Sequence, residues 1–522
     1  MMKKLYSLLI IGISLAGVSC TDYLDVRPEN KILLDDMWQK ESDVEAVLMA
    51  CYRSMQENDF MNRLILWGEF RSDNMLVGGS ASDDNKRINE VNILPANGNC
   101  SWASFYRVIN YCNTLLKYSP DVLDRDPNFT TNDMQAKQAE ALAIRALCYF
   151  YLLRTFRDIP WIEEATIGDD QNLKVAQSTP EVVLEKITND LLQAEKWALN
   201  LYPSTRENKG RMVKDAICAI LADVYLWRKE YDKCVEYCDK LINATTVYSG
   251  FSGIQQIEIP KYGLLERYAN TEIFSDGNSS ESIFELQFTS VKSNQAVIDF
   301  YGNRTTVGQM TANTSYTETS NIFPNTDDRK GDFIITTKTS SGEYQIFKYL
   351  GSRSSFGTQN TYQFKQTTAN WIFYRITDVM LMKAEALVQL NRSNEDLRDA
   401  LHIVNTTYMR ANSTLLKKDS LVFDNYSTQQ AMEKLVLLER QRELMFEGKR
   451  WFDLVRHSER KNSTDDLVNH VLTKYTSNIS TISAKLGVMN ALYMPVHANE
   501  LKVNPLLKQN PYYETSTDII KK

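Results

Sequence analysis

Histidine is scarce, with four in 522 residues, and His402, His457, His470 and His497 are scattered. Cys234 and Cys238 are spaced to share a helical metal face, but no His lies near them and no second cysteine pair has ligand spacing. No metal site or metal cofactor is expected. A glycine-rich phosphate loop and a dinucleotide fingerprint are both missing, which argues against nucleotide-dependent chemistry. No run beyond the N-terminus reaches the ~20 apolar residues of a membrane span. The net charge of -7 makes nucleic acid or an anionic membrane surface a poor main partner. Seven cysteines follow Cys20, an odd number. Cys51, Cys112, Cys148, Cys218, Cys234 and Cys238 stand among apolar residues in helix-like segments. Small buried thiols are expected there, and no disulfide framework.

What is present begins with a leader. Lys3 and Lys4 precede an apolar run from Leu5 to Val18, too short and wrongly flanked for a spanning helix, and this pattern is that of a secretory signal. It ends in Gly17-Val18-Ser19-Cys20, which resembles a bacterial lipobox although Gly17 stands where Leu is usual. Cys20 is thus the expected lipidation site, with residues 1–19 removed. More than one acyl chain would give stable anchoring. The acidic Thr21-Asp22-Tyr23-Leu24-Asp25 resembles a surface-export tag, so the outer membrane, facing the exterior, is the expected location.

The mature chain reads as mainly α-helical. Val44, Val47, Leu48, Cys51, Tyr52 and Met55 form one apolar face, and helices are also predicted from Ser101, from Thr131 to before Asp158, and from Pro180. Val213–Trp227 and Tyr231–Ile242, joined by Arg228-Lys229-Glu230, resemble a tetratricopeptide hairpin with Cys234 at the small-residue position. Val379–Leu390 and Leu397–Met409 form a second with Ala400. Their spacing is irregular, which predicts helix pairs packed side by side, not a regular solenoid. Residues 72–100, 302–321 and 351–370 read as polar loops. Ser282–Phe288 alternates as a half-buried strand does, and 333–337 and 344–347 read as short strands.

Leu438–His457, LERQRELMFEGKRWFDLVRH, interleaves acids, arginines and large apolar residues. Glu439 reaches Arg442, and Arg450 reaches Asp453, at helical spacing. Glu443 and Glu447 are spaced like an acid/base pair, but Arg440, Arg442 and Arg450 are near enough in sequence to neutralise them. The expected role is a structural brace with Trp451 and Phe452 in the core.

This segment resembles the C-terminal signature of the SusD/RagB family of outer-membrane nutrient-binding lipoproteins. Trp102, Tyr106, Ile109 and Asn113 resemble an earlier block of that family, as do Arg145 to Pro160, Tyr374 to Leu387, and Met494 to Tyr512. The resemblance implies one globule over 20–522, built on four tetratricopeptide-like hairpins with a partly β, loop-rich ligand region at about 245–370. It implies capture of a glycan, no catalysis and no cofactor, and partnership with a SusC-like TonB-dependent transporter. Capture of peptides or another nutrient, or a transporter lid without a ligand site, stay open. Sugar capture needs aromatic faces and polar side chains. By loop position the expected contacts are Arg71, Asp73, Asn74, Tyr301, Tyr316, Trp67 and Trp371, with Trp102, Trp161 and Trp451 reserved for the core.

Overall fold

The computed structural model describes residues 37–168, 171–249, 256–266, 269–313, 315, 322–335, 339–340, 342–356, 359–365, 368–412 and 420–514. The leader, Cys20 and Tyr316 lie outside these residues.

A row of helix pairs forms the scaffold. Its members are α1 (Glu41–Met55), α2 (Asn58–Ile65), α3 (Asp83–Asn89), α4 (Ala103–Leu123), α5 (Thr131–Phe156), α6 (Pro180–Trp197), α7 (Thr205–Gly210), α8 (Lys214–Trp227) and α9 (Tyr231–Ile242). Later come α10 (Gln295–Tyr301), α11 (Arg329–Phe333), α12 (Ile376–Leu390), α13 (Asn394–Asn412), α14 (Gln429–Leu444) and α15 (Arg450–Lys461). α1 packs on α4, α4 on α5, α5 on α6, α6 on α8, α8 on α9, α9 on α12, and α12 on α13 and α14. The pairs α1/α4, α5/α6, α8/α9 and α12/α13 are the mainly helical, tetratricopeptide-like arrangement expected. Cys234 is fully buried, with its Sγ 4.0 Å from the Met382 carbonyl oxygen, so the small residue sits where α9 and α12 approach. Ala400 is buried between α12, α13 and α14.

α5 is the centre. From Ala139 to Phe156 every side chain is buried, as expected of a helix surrounded by others. A capping box starts it: Thr130 Oγ1 accepts from Asp133 N–H at 3.2 Å, and the Asp133 carboxylate accepts from Thr130 N–H at 3.1 Å.

The strands are short two-stranded ribbons. β1 (Met75–Val77) pairs with β7 (Met310–Ala312), β2 (Ile159–Pro160) with β3 (Gln177–Ser178), and β4 (Thr245–Ser249) with β5 (Gln256–Pro260). β6 (Ser282–Leu286) pairs with β10 (Trp371–Arg375), and β8 (Gly351–Phe356) with β9 (Gln359–Phe364). All pairs are antiparallel.

Four local expectations change. Residues 72–100 hold β1 and α3, whose single buried apolar residue, Ile88, is too little for a periodic signal. Gly351–Phe356 and Gln359–Phe364, within the expected loop, pair as the β8–β9 ribbon rich in Ser, Thr and Asn, anchored by Tyr362 and Phe364 against Phe347 at ring distances of 4.9 and 5.2 Å. β6 is buried on both faces. Its Glu285 is covered because Asn278 N–H and Asn370 Nδ2 both donate to it, at 2.9 and 2.8 Å. Residues 333–335 and 344–347, read as two strands, meet through one bridge, Ile334 with Ile346, and 336–337 lie outside the described residues.

The Leu438–His457 segment is α14, a turn and α15. Glu439–Arg442 pairs as expected, and Arg440 and Arg456 both hold Asp453 at 3.0 and 2.8 Å. The other acids are neutralised from far away, not within the segment. Glu443 meets Arg375 at 2.7 Å, Arg329 at 2.9 Å, and Arg410. Glu447 meets Lys348 at 2.6 Å and Arg375 at 2.7 Å. Arg450 holds Asp73 at 2.8 Å in place of Asp453. Burial alone would push the Glu443 carboxyl up, yet its three guanidinium neighbours hold it well below the usual carboxylate range. Neither Glu443 nor Glu447 is poised for acid/base work. The seven described cysteines are free and buried.

Candidate ligand face

Two polar regions far apart in sequence, 72–100 and 302–313, come together through β1 and β7. Met75 faces Ala312 and Val77 faces Met310. Just below, Asn313 N–H donates to the Asn74 carbonyl at 3.0 Å and Asn313 Nδ2 to the Asp73 carbonyl at 2.8 Å. The tips are tied by amides. Ser82 caps α3 by accepting from Asn85 N–H at 3.2 Å. Asn85 Nδ2 then donates to Gln309 Oε1 at 2.9 Å, and Gly79 N–H to Glu343 at 2.8 Å. In the second loop Asn303 Oδ1 accepts from Thr305 and Thr306 N–H at 2.8 and 3.0 Å, the side-chain turn that Asn favours. Gly302 has φ 91°, and a Cβ there would meet the Thr306 carbonyl oxygen at 2.4 Å, so only glycine closes this turn.

These bonds use the buried amides and leave charged and hydroxyl groups outside. Asp83, Lys86, Arg87, Arg304, Thr305 and Thr306 are exposed. The guanidiniums of Arg87 and Arg304 have no hydrogen-bond or ion-pair partner among the described residues. Two unpaired guanidiniums on a rigid two-loop platform can bind hydroxyls or anions.

The residues expected to touch ligand are mostly below this face. Arg71 donates to the carbonyls of Leu492 and Ala491, both at 2.6 Å, and stacks over Trp451 at 4.2 Å. Asp73 pairs with Arg450. Asn74 donates to Glu69 Oε1 at 2.6 Å and accepts from Gln441 Nε2 at 2.8 Å. The Tyr301 hydroxyl donates to the Phe446 carbonyl at 2.8 Å. Trp67 donates to the Asn99 carbonyl at 2.9 Å and stacks on Phe105, and Trp371 stacks on Tyr349. All six are buried, and they support the loops from inside. The physical reason is that Arg71, Asp73, Asn74, Tyr301 and Trp371 pack at the junction between the 66–74 turn and the α14–α15 region, while Trp67 ties the first of these to Asn99 and Phe105.

That junction is very close. Gly68 and Gly448 touch backbone to backbone, and a Cβ on Gly68 would lie 1.8 Å from the Gly448 carbonyl oxygen. The Glu69 carboxylate accepts from the N–H groups of Phe446 and Lys449, each at 3.0 Å, at the start of α15. Burial raises the Glu69 carboxyl above its ordinary value.

A SusD family model matches residues 265–513, and a second, described as starch-binding associating with outer membrane, matches 22–226. Together they cover most of the chain. The chain belongs to the SusD/RagB family. A SusD-like protein of Formosa agariphila is 25% identical over 489 residues, 87% of this chain and 91% of that protein. A SusD-like protein of Bacteroides ovatus is 23% identical over 86% of this chain and 81% of its own. Among solved structures, a SusD superfamily protein of Bacteroides vulgatus superposes with a TM-score of 0.70 at 17% identity, covering 91% of this chain and 100% of its own. NanU of B. fragilis gives 0.68 at 20% identity, covering 94% and 100%. These structures share the fold. This SusD-like chain is a nutrient-binding protein of the outer membrane, and no helix among its described residues is long and apolar enough to cross a membrane.

Proposed function

We propose that this SusD-like protein captures a glycan at the cell exterior, held by lipid on Cys20, and passes it to a SusC-like TonB-dependent transporter without altering it. The observation that carries this reading is the β1–β7 pairing, which merges the two loop regions where the family resemblance places ligand contacts. The ligand face comprises Arg87, Arg304 and the exposed hydroxyls beside them, with Tyr316 as a further contact. The buried, paired state of Glu443 and Glu447 supports binding over turnover.

Calorimetry of the mature chain against a panel of oligosaccharides and peptides tests the reading. A saturable glycan signal that weakens in Arg87→Ala or Arg304→Ala is expected. Peptide binding alone would replace the glycan, and release of shortened product would refute a non-catalytic role. Cys20→Ala should move the protein from the membrane to the soluble fraction, and persistent membrane association would refute the anchor.

A further inference from the structure

α5 ends in an exposed arginine. Arg157, its C-cap, has φ 70° and ψ -74°, and Asp158 N–H donates back to the Phe156 carbonyl at 3.0 Å. This is the γ-turn with positive φ, a strained conformation for a residue with a Cβ. The turn leaves Arg157 exposed while Phe156 and Ile159 on either side of the Arg157-Asp158 pair are buried.

Two cavities meet at this arginine. One of about 530 Å³ is lined by Arg157, Asp158, Gln177, Tyr493, Lys508 and Asn510 among others. The second, of about 320 Å³, also includes Arg157 and Tyr493 and extends towards Trp227 and Glu459. Three of the four side-chain amides in the larger wall are already engaged, and that of Asn490 is the fourth. Gln177 Nε2 donates to the Asp158 carbonyl at 3.0 Å, Gln509 Nε2 to the Val496 carbonyl at 2.9 Å, and Asn510 Nδ2 to the Asn490 carbonyl at 2.9 Å. Lys508 N–H donates to Gln177 Oε1 at 2.8 Å, which fixes its backbone while its ammonium stays exposed.

Two cations of this wall, on Arg157 and Lys508, stand with the lining carboxylates of Asp158 and Glu514, of which Glu514 has an interaction of its own. Neither the Arg157 guanidinium nor the Lys508 ammonium has a hydrogen-bond or ion-pair partner among the described residues. The aromatic rings of the larger wall, Phe156 and Tyr493, are 3% and 4% exposed, so no open ring face serves a neutral sugar. Glu181 is occupied by its own backbone N–H and by Thr179. Burial raises the Asp158 carboxyl above its ordinary value, and the Arg157 guanidinium beside it acts in the opposite direction.

We infer that this cleft is a subsite for an acidic sugar, whose carboxylate or sulfate is held by Arg157 and Lys508. The inference rests on glycan capture as proposed above and narrows its ligand class. A guanidinium matches either anion through paired N–H donors.

Calorimetry of the mature chain with three probes tests it: an oligogalacturonate, a sulfated carrageenan oligosaccharide and neutral cellotetraose. Binding of at least one acidic probe is expected, and which one binds separates carboxylate from sulfate. Arg157→Gln and Lys508→Gln should each weaken it by about tenfold or more, with Arg157→Lys intermediate. Any cellotetraose binding should be unchanged. Lys508 is exposed, so Lys508→Gln keeps the test open even if Arg157→Gln disturbs the turn. Acidic-probe binding that is unchanged in both variants overturns the subsite, as does binding of cellotetraose alone, while both leave glycan capture standing. Binding of no probe and of no other glycan defeats capture, and the subsite with it.

Discussion

Glu443→Gln isolates the charge at the centre of the brace. Glu443 is 2% exposed and meets Arg375, Arg329 and Arg410. Gln keeps the shape and one carbonyl acceptor but removes the charge, leaving three guanidiniums to share Glu281, Glu439, Asp327 and Glu447. Breaking a buried pair from one side costs about 3–5 kcal/mol. With an unfolding entropy of ~2 cal/mol/K per residue, a chain of 522 residues loses roughly 1 °C of Tm per kcal/mol if it melts as one unit. Scanning calorimetry at pH 7 should therefore show a fall of about 3–5 °C. The pH dependence gives an independent check. The folded carboxyl titrates well below its unfolded value of about 4.3, so its stabilisation is present above that value and fades as pH falls through the folded pKa. The gap between wild type and variant should narrow steadily below about pH 4. A Tm within 1 °C of wild type at pH 7, or a gap that widens in acid, would refute the assignment of Glu443 as the charged centre.

Two other perturbations address different parts of the structure. Gly68→Ala forces a Cβ into the Gly448 carbonyl, and overpacking against backbone costs ~1–3 kcal/mol or more. Gly263→Ala, which meets nothing within 4 Å, should be near neutral in the same denaturant titration, and equal effects would refute the close approach. Lys474 donates to the carbonyls of Phe70 and Ser72, and burial lowers its pKa to about 7. Its unfolded value is about 10.4, so the unfolded chain binds the extra proton between the two and stability rises with pH across that window. Relative to Lys474→Met, wild type should gain stability from pH 7 to 9 by chemical denaturation; a flat difference would refute the buried ammonium.

The helices and the close-packed pair positions were legible because they are local. Apolar spacing located α1, α4, α5, α6, α8, α9, α12 and α13, and Cys234 and Ala400 marked where helices approach. The roles of single polar residues were not. Arg71, Asp73, Asn74 and Tyr301 have the composition of a sugar site, and their neighbours in sequence are polar. Apart from Glu69 beside Asn74, their partners at 491–492, 450, 441 and 446 lie 120 or more residues away, and pairing of that kind leaves no local pattern. The same holds for Arg157: an arginine after a buried helix looks like an ordinary cap until the backbone turn exposes it.

Sequence by itself thus determined the family, the helical scaffold and the expectation of a leader ending at Cys20, because each rests on contiguous residues and local periodicity. Only the tertiary structure decided which polar residues face water. The turn at 66–74 packs backbone to backbone against 445–449, so burying its aspartate and asparagine draws partners from α14 and α15, and burying its arginine draws the carbonyls of 491–492. Arg87, Arg304, Arg157 and Lys508 are among the charges that folding leaves without a partner among the described residues.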